Sequence, residues 1–305
     1  MYYSLSEHQG MAMDVVTGAT GQAGSEIVRA LVGRGREVRV FVRDPEKARR
    51  RFGDAVEPAI GDFADSAAVR AALQGAETVV LSGPDDPRRV GWETKLVDVA
   101  VESGVRRIVK LSSIVAEVGS PVAFWEWHAR IEAHLLRSGV SAAIVRSAPY
   151  MSNVLLGAEG VAAEGRLYAP AGSARIAMID PTDVGASVAA VAASSGWDGP
   201  ISHVVTGPEA ITYTKMAATL SAATGREVEY VEIPDAAAEQ AMVRAGLPDP
   251  AAEQVVNVFK MLRRGVAEQV TTTVESLTGR RPRDFAAFAH QHANLFAPAA
   301  AAAAR

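Results

Sequence analysis

Residues 17–24 read TGATGQAG and follow directly on the short apolar run Met13-Asp14-Val15-Val16. No other stretch constrains the fold as tightly. Glycine loses the most backbone freedom on folding, so a cluster of glycines needs a structural reason. The pattern G-x-x-G-x-x-G, set between a strand and a helix in a unit of about thirty residues, supplies one. Gly18 lets the chain turn sharply out of the first strand. Gly21 removes a side chain where a diphosphate approaches the backbone, and Gly24 lets the following helix pack closely. That helix, starting near Gln22, offers unpaired N–H groups and the positive end of its dipole to phosphate oxygens. Gly18, Thr20, Gly21, Gln22, Ala23 and Gly24 are therefore candidate cofactor-binding residues. The first two glycines are three apart rather than two, a departure from the common dehydrogenase fingerprint.

The rest of the first half supports this reading. Strand-like runs at 13–17, 37–42, 55–60, 77–82, 107–112 and 142–147 alternate with helix-period stretches at 22–33, 44–51, 65–74, 88–103 and 124–138. Such alternation predicts an α/β fold, a doubly wound parallel sheet with helices on both faces. The strands lack polar alternation, as expected when both faces are covered. After about residue 148 the rhythm breaks. Pro149, Pro170, Pro181, Pro208 and Pro234 punctuate a looser region, with helices expected near 213–224, 235–245 and 250–264. The expected organisation is a nucleotide-binding domain over 11–147, drawing strands from about 176–206. A smaller C-terminal substrate lobe covers 148–175 and 207–296, and 297–305 form a flexible tail. Residues 1–10 read as a similar extension.

Composition narrows the function classes. Lys and Arg total 31 against 35 Asp and Glu, a net charge of −4, which argues against nucleic acid as the main partner. No apolar run approaches the ~18 residues of a membrane helix, and the N-terminus lacks the plan of a signal peptide. There is no cysteine, which excludes disulfides and thiolate chemistry, and the six histidines show no metal-binding spacing. The expectation is a soluble, cytoplasmic protein without a metal. The apolar face of 88–103 suits either the sheet or a second copy in a homodimer.

At the end of the second strand the sequence is VFVRDPEK. An acidic residue there suits the 2′-hydroxyl of NAD, whereas arginine suits a 2′-phosphate. Arg43 comes first, with Asp44 placed to cap the helix opening at Pro45. NADP(H) is favoured over NAD(H).

With these residues in place the chain resembles an atypical short-chain dehydrogenase/reductase of the NmrA-like family, over roughly 13–296. The matching pieces are VTGATGQAG, VRDPEKA, GDFAD (61–65), GVRRIVKLSS (104–113), HARIEAHLLRSGV (128–140), VRSAPYMSN (145–153), IDPTDVGASVAA (179–190) and TGPEAITYTKMA (206–217). The resemblance implies a Rossmann-type sheet and a nicotinamide cofactor. It implies that Asp62 and Phe63 flank the adenine and that Ser82, Gly83 and Pro84 line the ribose near the nicotinamide. Pro149, Tyr150, Met151 and Asn153 would close over the nicotinamide and substrate.

One departure bears on the chemistry. Typical short-chain reductases carry Tyr-x-x-x-Lys on the helix after the fifth strand, where Lys lowers the pKa of the proton-giving Tyr. Here that helix reads FWEWHARIE, with Phe124 in the place of Tyr and His128 in the place of Lys. Reducing a simple ketone makes an alkoxide whose conjugate acid has a pKa of about 16, as weak as water. Reducing a quinone makes a phenolate-like anion with a pKa of about 10. Quinones, nitroarenes and similar flat acceptors therefore fit a site without the Tyr-Lys pair, and aromatic faces such as Phe124, Trp125, Trp127, Tyr150 and Phe259, with Met151 and Met261, suit them. His128 is the titratable candidate for ribose binding, substrate orientation or proton supply, or else a structural residue near Ser112. Ser112 is the candidate for a hydrogen bond to a substrate oxygen, with Ser113 structural. The resemblance also points to quinone reductases, including ones serving aromatic polyketide biosynthesis, and leaves room for an oxygenase partner that consumes the hydroquinone. Its alternative is an NmrA-type regulator that binds NAD(P) without turnover and signals through a protein partner.

Overall fold

The computed structural model describes residues 12–298. The expected extension at 1–10 and most of the expected tail lie outside the described residues.

In chain order the first half comprises β1 (Met13–Thr17), α1 (Gln22–Val32), β2 (Glu37–Val42), α2 (Pro45–Phe52), β3 (Glu57–Ile60) and α3 (Ser66–Ala72). It continues with β4 (Ala76–Leu81), α4 (Arg89–Glu102), β5 (Arg107–Ser113), α5 (Ala123–Arg137) and β6 (Ser141–Ser147). Then follow α6 (Ala158–Glu164), β7 (Arg166–Ala169), α7 (Pro181–Ala193), β8 (Ile201–Val205), α8 (Tyr213–Thr224), β9 (Glu229–Glu232), α9 (Asp235–Arg244), α10 (Asp249–Leu262), α11 (Thr273–Thr278) and α12 (Phe285–Gln291). Seven strands form one parallel sheet in the order β3-β2-β1-β4-β5-β6-β8, while β7 and β9 pair separately, also in parallel. The strand order reverses between β1 and β4, so the glycine turn lies at the switch point, where open α/β sheets bind their ligands.

Both faces of the sheet are covered, as the missing polar alternation implied. Val16, Val80, Val109 and Val145 pack on one side against Ile27, Val28 and Leu31 of α1 and Val184 and Val188 of α7. Their neighbours Val15, Val79, Leu81 and Ile108 point to the other side, against Val69 of α3, Leu96 and Val97 of α4 and Ile131 and Leu135 of α5. Leu96, Val97 and Ala100 of the apolar face of 88–103 are thus covered by the chain's own sheet, while Val101 stays exposed. β3 is an edge strand with little burial, and it is shorter than its sequence signal because residues 53–55 form a 3₁₀ turn.

A third cluster forms the core of the C-terminal lobe. It joins Met151, Val154, Leu167, Ile176, Met178, Tyr213, Met216, Leu220, Leu262, Phe285, Phe288 and Phe296. The side-chain amide oxygen of Gln254 on α10 accepts from the N–H of Ala123 at 2.7 Å, so the lobe holds one of the free donors that open α5.

Candidate cofactor and substrate site

A cavity of about 840 Å³ runs along the carboxyl ends of the strands and into the lobe. Its lining comes from the loops after β1 (18–24), β2 (41–43), β3 (61–63), β4 (82–89), β5 (111–115) and β6 (147–150), with lobe residues from Asn153 to Leu262.

The glycine turn opens this cavity. Gly18 has φ of +61°, and a Cβ there would lie 2.5 Å from the Ser82 carbonyl oxygen, so only glycine fits. A Cβ on Gly24 would lie 2.1 Å from the Gly18 carbonyl oxygen. Gly24 therefore lets the first turn of α1 fold back on the glycine loop itself, rather than simply bringing helix to sheet. Thr17 locks the loop to the neighbouring strand: its hydroxyl donates to the Ser82 carbonyl at 2.6 Å and accepts from the Ser82 N–H at 3.0 Å. No side chain caps the start of α1 and its first turn carries no acidic residue, which leaves the N–H groups free for an anion. Gly18, Thr20, Gly21, Gln22, Ala23 and Gly24 all line the cavity. The backbone therefore fits a dinucleotide's diphosphate.

Around it, Arg43 and Lys47 face the same space. Asp44 is taken up as the cap of α2, its carboxylate accepting from the Lys47 N–H at 3.0 Å. Asp65, not Asp62, caps α3; Asp62 accepts from the N–H of Ala64 at 2.9 Å and stays on the lining. Phe63 stacks on Trp92 (6.0 Å, 14° between planes) and meets Phe41 edge-on, and the Arg88 guanidinium covers Trp92 at 4.5 Å. Ser82, Gly83, Pro84 and Pro149 complete this part of the wall.

The floor is a buried polar cluster that the sequence reading largely missed. Arg89 donates to Asp85 at 2.8 Å and to Glu93 at 2.6 Å, and Lys110 Nζ lies 3.1 Å from the second Glu93 oxygen. His128 stands between the two cations, with Nε2 3.2 Å from Arg89 Nη1 and Nδ1 3.3 Å from Lys110 Nζ. Arg89, Glu93, Lys110 and His128 are all buried, and Gly83 makes room for the cluster, since a Cβ there would lie 2.5 Å from Glu93. Burial, reinforced by the charges of Lys110 and Arg89, holds the His128 imidazole well below its ordinary value. It is neutral at physiological pH. Burial also pushes the Lys110 ammonium down to about 8, against the pull of Glu93. Burial opposes the charge of Glu93, but Lys110 and Arg89 outweigh it and keep the carboxylate ionised.

Ser112 lines the cavity, but its hydroxyl donates to Glu132, which also binds Arg146. Its proton is therefore already engaged, contrary to the expectation of a free donor for substrate. Ser113 also faces the cavity and accepts from the Val115 N–H at 3.4 Å within the local turn.

Phe124 and His128, one helical turn apart on α5, both line the cavity, as do Trp125, Tyr150, Asn153 and Phe259. Burial raises the Tyr150 phenol, so it stays protonated. Met151 departs from the expectation. It is buried in the lobe core beside Val154 and Met178 and does not reach the cavity, because the 3₁₀ turn at 151–157 directs it inward. Trp127 and Met261 also lie off the lining. The lobe's contribution is instead Leu156, Ile176, Met178, Tyr213, Val255, Val258, Phe259 and Leu262, with no charged side chain among them. A lysine inside the apolar run RIVKLS was the one available signal for the floor. The Arg89–Glu93 pair, four residues apart, signalled only a helix-surface contact. Among the described residues no His, Asp and Glu group could hold a metal, and no helix is long and apolar enough to cross a membrane.

The chain is similar to known proteins along nearly its whole length. An NAD(P)H azoreductase from Xenophilus azovorans is 33% identical over 94% of this chain and all of that protein. A (4-alkanoyl-5-oxo-2,5-dihydrofuran-3-yl)methyl phosphate reductase from Streptomyces griseus is 36% identical, with the same coverage. The crystal structure of an Escherichia coli NADPH-dependent quinone oxidoreductase complexed with NADPH superposes with a TM-score of 0.84 at 27% identity, covering 92% of this chain and 99% of that one. The NmrA-like family pattern itself matches residues 14–289, from β1 through the glycine turn and the cavity walls into α12. By that match and those relatives, the chain belongs to the NmrA-like family.

Proposed function

We propose that the protein transfers a hydride from NADPH to a flat, neutral, conjugated acceptor, with quinones as the leading class. The observation that carries this reading is the single cavity with two unlike ends. One end offers free backbone N–H groups, Arg43 and Lys47; the other is walled mainly by apolar and aromatic side chains, with Asn153 the polar exception and no charged side chain from the lobe.

The residues that would hold the cofactor are the glycine turn for its diphosphate, Arg43 and Lys47 for a 2′-phosphate, and Phe63 and Asp62 for its adenine. When bound, the cofactor supplies the hydride. Phe124 and Tyr150 present faces and edges suited to a planar ring, and the lobe residues exclude water from it. A quinone that accepts a hydride becomes a hydroquinone monoanion with a conjugate-acid pKa of about 10, as for a phenol, so one modest proton donor completes the reaction. The neutral His128 and the protonated Tyr150 are lining groups that can hydrogen-bond that oxygen, while the proton itself has to come through them from a stronger acid or from solvent. An aromatic polyketide quinone falls within this class. A phosphorylated acceptor, such as the Streptomyces griseus relative's name describes, would find no cation among the lobe residues on the lining, and Arg89 on the cavity floor is already paired with Asp85 and Glu93.

The test is NADPH oxidation followed with a panel of quinones and one phosphorylated butenolide. Fast, quinone-dependent oxidation with little response to the phosphate ester supports the reading. Tight NADPH binding with no acceptor-dependent oxidation would replace it with a cofactor-sensing role.

A further inference from the structure

The floor of the cavity poses a problem of proton counting. A neutral imidazole has one N–H and one lone pair, yet both ring nitrogens of His128 face cationic side chains, Arg89 Nη1 at 3.2 Å and Lys110 Nζ at 3.3 Å. Arginine cannot give up its proton, so the answer lies with Lys110. When Lys110 is a neutral amine, both ring nitrogens of His128 are satisfied. Nε2 accepts from Arg89 and Nδ1–H donates to Nζ, while one amine hydrogen goes to the Leu111 carbonyl and the other faces Glu93, whose second oxygen lies 3.1 Å away without a formed hydrogen bond. When Lys110 is an ammonium, its third hydrogen goes to Nδ1 and the imidazole proton moves to Nε2. Nε2–H and Arg89 N–H then point at one another with no acceptor between them. That arrangement is what a negatively charged oxygen entering the cavity would complete.

We propose that Lys110 is a positioning residue that sets the tautomer of His128, so that the charged lysine presents Nε2–H to the cavity beside Arg89 and replaces that proton when it is given up. This inference rests on the reductase reading. In the step, Nε2–H passes its proton to the anionic oxygen of the reduced acceptor, Nδ1 takes a proton from Nζ, and Lys110 ends as a neutral amine. One proton leaves the couple and one O–H bond forms. After product leaves, solvent in the cavity recharges the couple by the reverse path. The lysine absent from the helix is thus supplied by β5, with its Nζ 3.3 Å from Nδ1 of the imidazole.

The charged and titratable groups facing the couple are Arg89 and Glu93 from α4, Glu132 from α5, and Asp85 and Tyr150 at the cavity wall. Of these, Glu93 is held ionised and Tyr150 is held protonated, while burial pushes Lys110 down to about 8, close to neutrality.

The experiment is ¹⁵N NMR of the His128 ring in the full-length protein, titrated from about pH 6 to about pH 10. The expected result is an imidazole that stays neutral and shifts from Nε2–H to Nδ1–H with a midpoint near 8. Lys110→Met should show no such transition. Lys110→Arg, a second variant that keeps the buried charge, should hold Nε2–H throughout. Alongside, kcat with a quinone at saturating NADPH should fall above the same midpoint in the wild type and drop roughly a hundredfold in Lys110→Met, with NADPH affinity unchanged. A wild-type ring with no tautomer change, or a transition that persists in both variants, overturns the proposal. A transition without acceptor turnover leaves the couple standing and removes the reductase reading; turnover without a transition does the reverse.

Discussion

The two ends of the cavity are built in different ways. At the glycine turn the walls are backbone: free N–H groups at the start of α1, a left-handed Gly18 and a helix packed so closely that Gly24 cannot carry a Cβ. At the lobe end they are side chains, gathered from a 3₁₀ turn, an extended segment at 176–178, Tyr213 and α10. Backbone recognition tolerates almost no substitution but reads only the common diphosphate. Side-chain recognition tolerates change and sets which acceptor enters.

Four measurements test this contrast. The largest effect is expected from Gly24→Val. Its side chain must displace the Gly18 carbonyl, so NADPH affinity should fall about a hundredfold, equivalent to about 3 kcal/mol of overpacking, with a lower melting temperature. Calorimetric titration and thermal melting read both. Phe259→Asp comes next, placing a charge among apolar walls; KM for an uncharged quinone should rise roughly thirtyfold, about 2 kcal/mol, while NADPH binding is unchanged. Equal loss at both ends would merge the two regions into one. Arg43→Ala should weaken NADPH about tenfold and leave NADH within about twofold, measured by fluorescence titration of both cofactors.

The smallest effect concerns pH. The folded pKa of His128 lies well below its unfolded value, so the unfolded chain binds the proton first as pH falls. Stability from this group is therefore complete above the unfolded value of about 6.5 and declines below it, by about 1.4 kcal/mol per pH unit at most. Melting at pH 7.5 and 5.5 should show this loss in the wild type and less of it in His128→Gln.

The same contrast explains what the sequence disclosed. The glycine turn is local: strand, turn and helix are contiguous, so TGATGQAG revealed it. The six strands from β1 to β6 and the helices between them were legible because short β-branched apolar runs alternate with stretches of helical period. α7 was not, because it is buried on nearly all sides and its small residues show no polar face. β7 and β9 were hidden for another reason: each has four residues, and they pair across sixty positions of chain. The resemblance implied a substrate contact for Met151, yet the tight 3₁₀ turn sends neighbouring side chains to opposite environments. The Arg89–His128–Lys110 cluster joins three elements, and no single segment announces it.

The central claim is that one cavity seats a dinucleotide on bare backbone and a flat neutral acceptor on the lobe. A crystal structure of the protein with NADP+ and a naphthoquinone tests it most directly. The diphosphate should lie at the N–H groups opening α1 and the quinone ring among Phe124, Tyr150 and Phe259. A dinucleotide bound away from the glycine turn, or a quinone bound outside the lobe's walls, would contradict it.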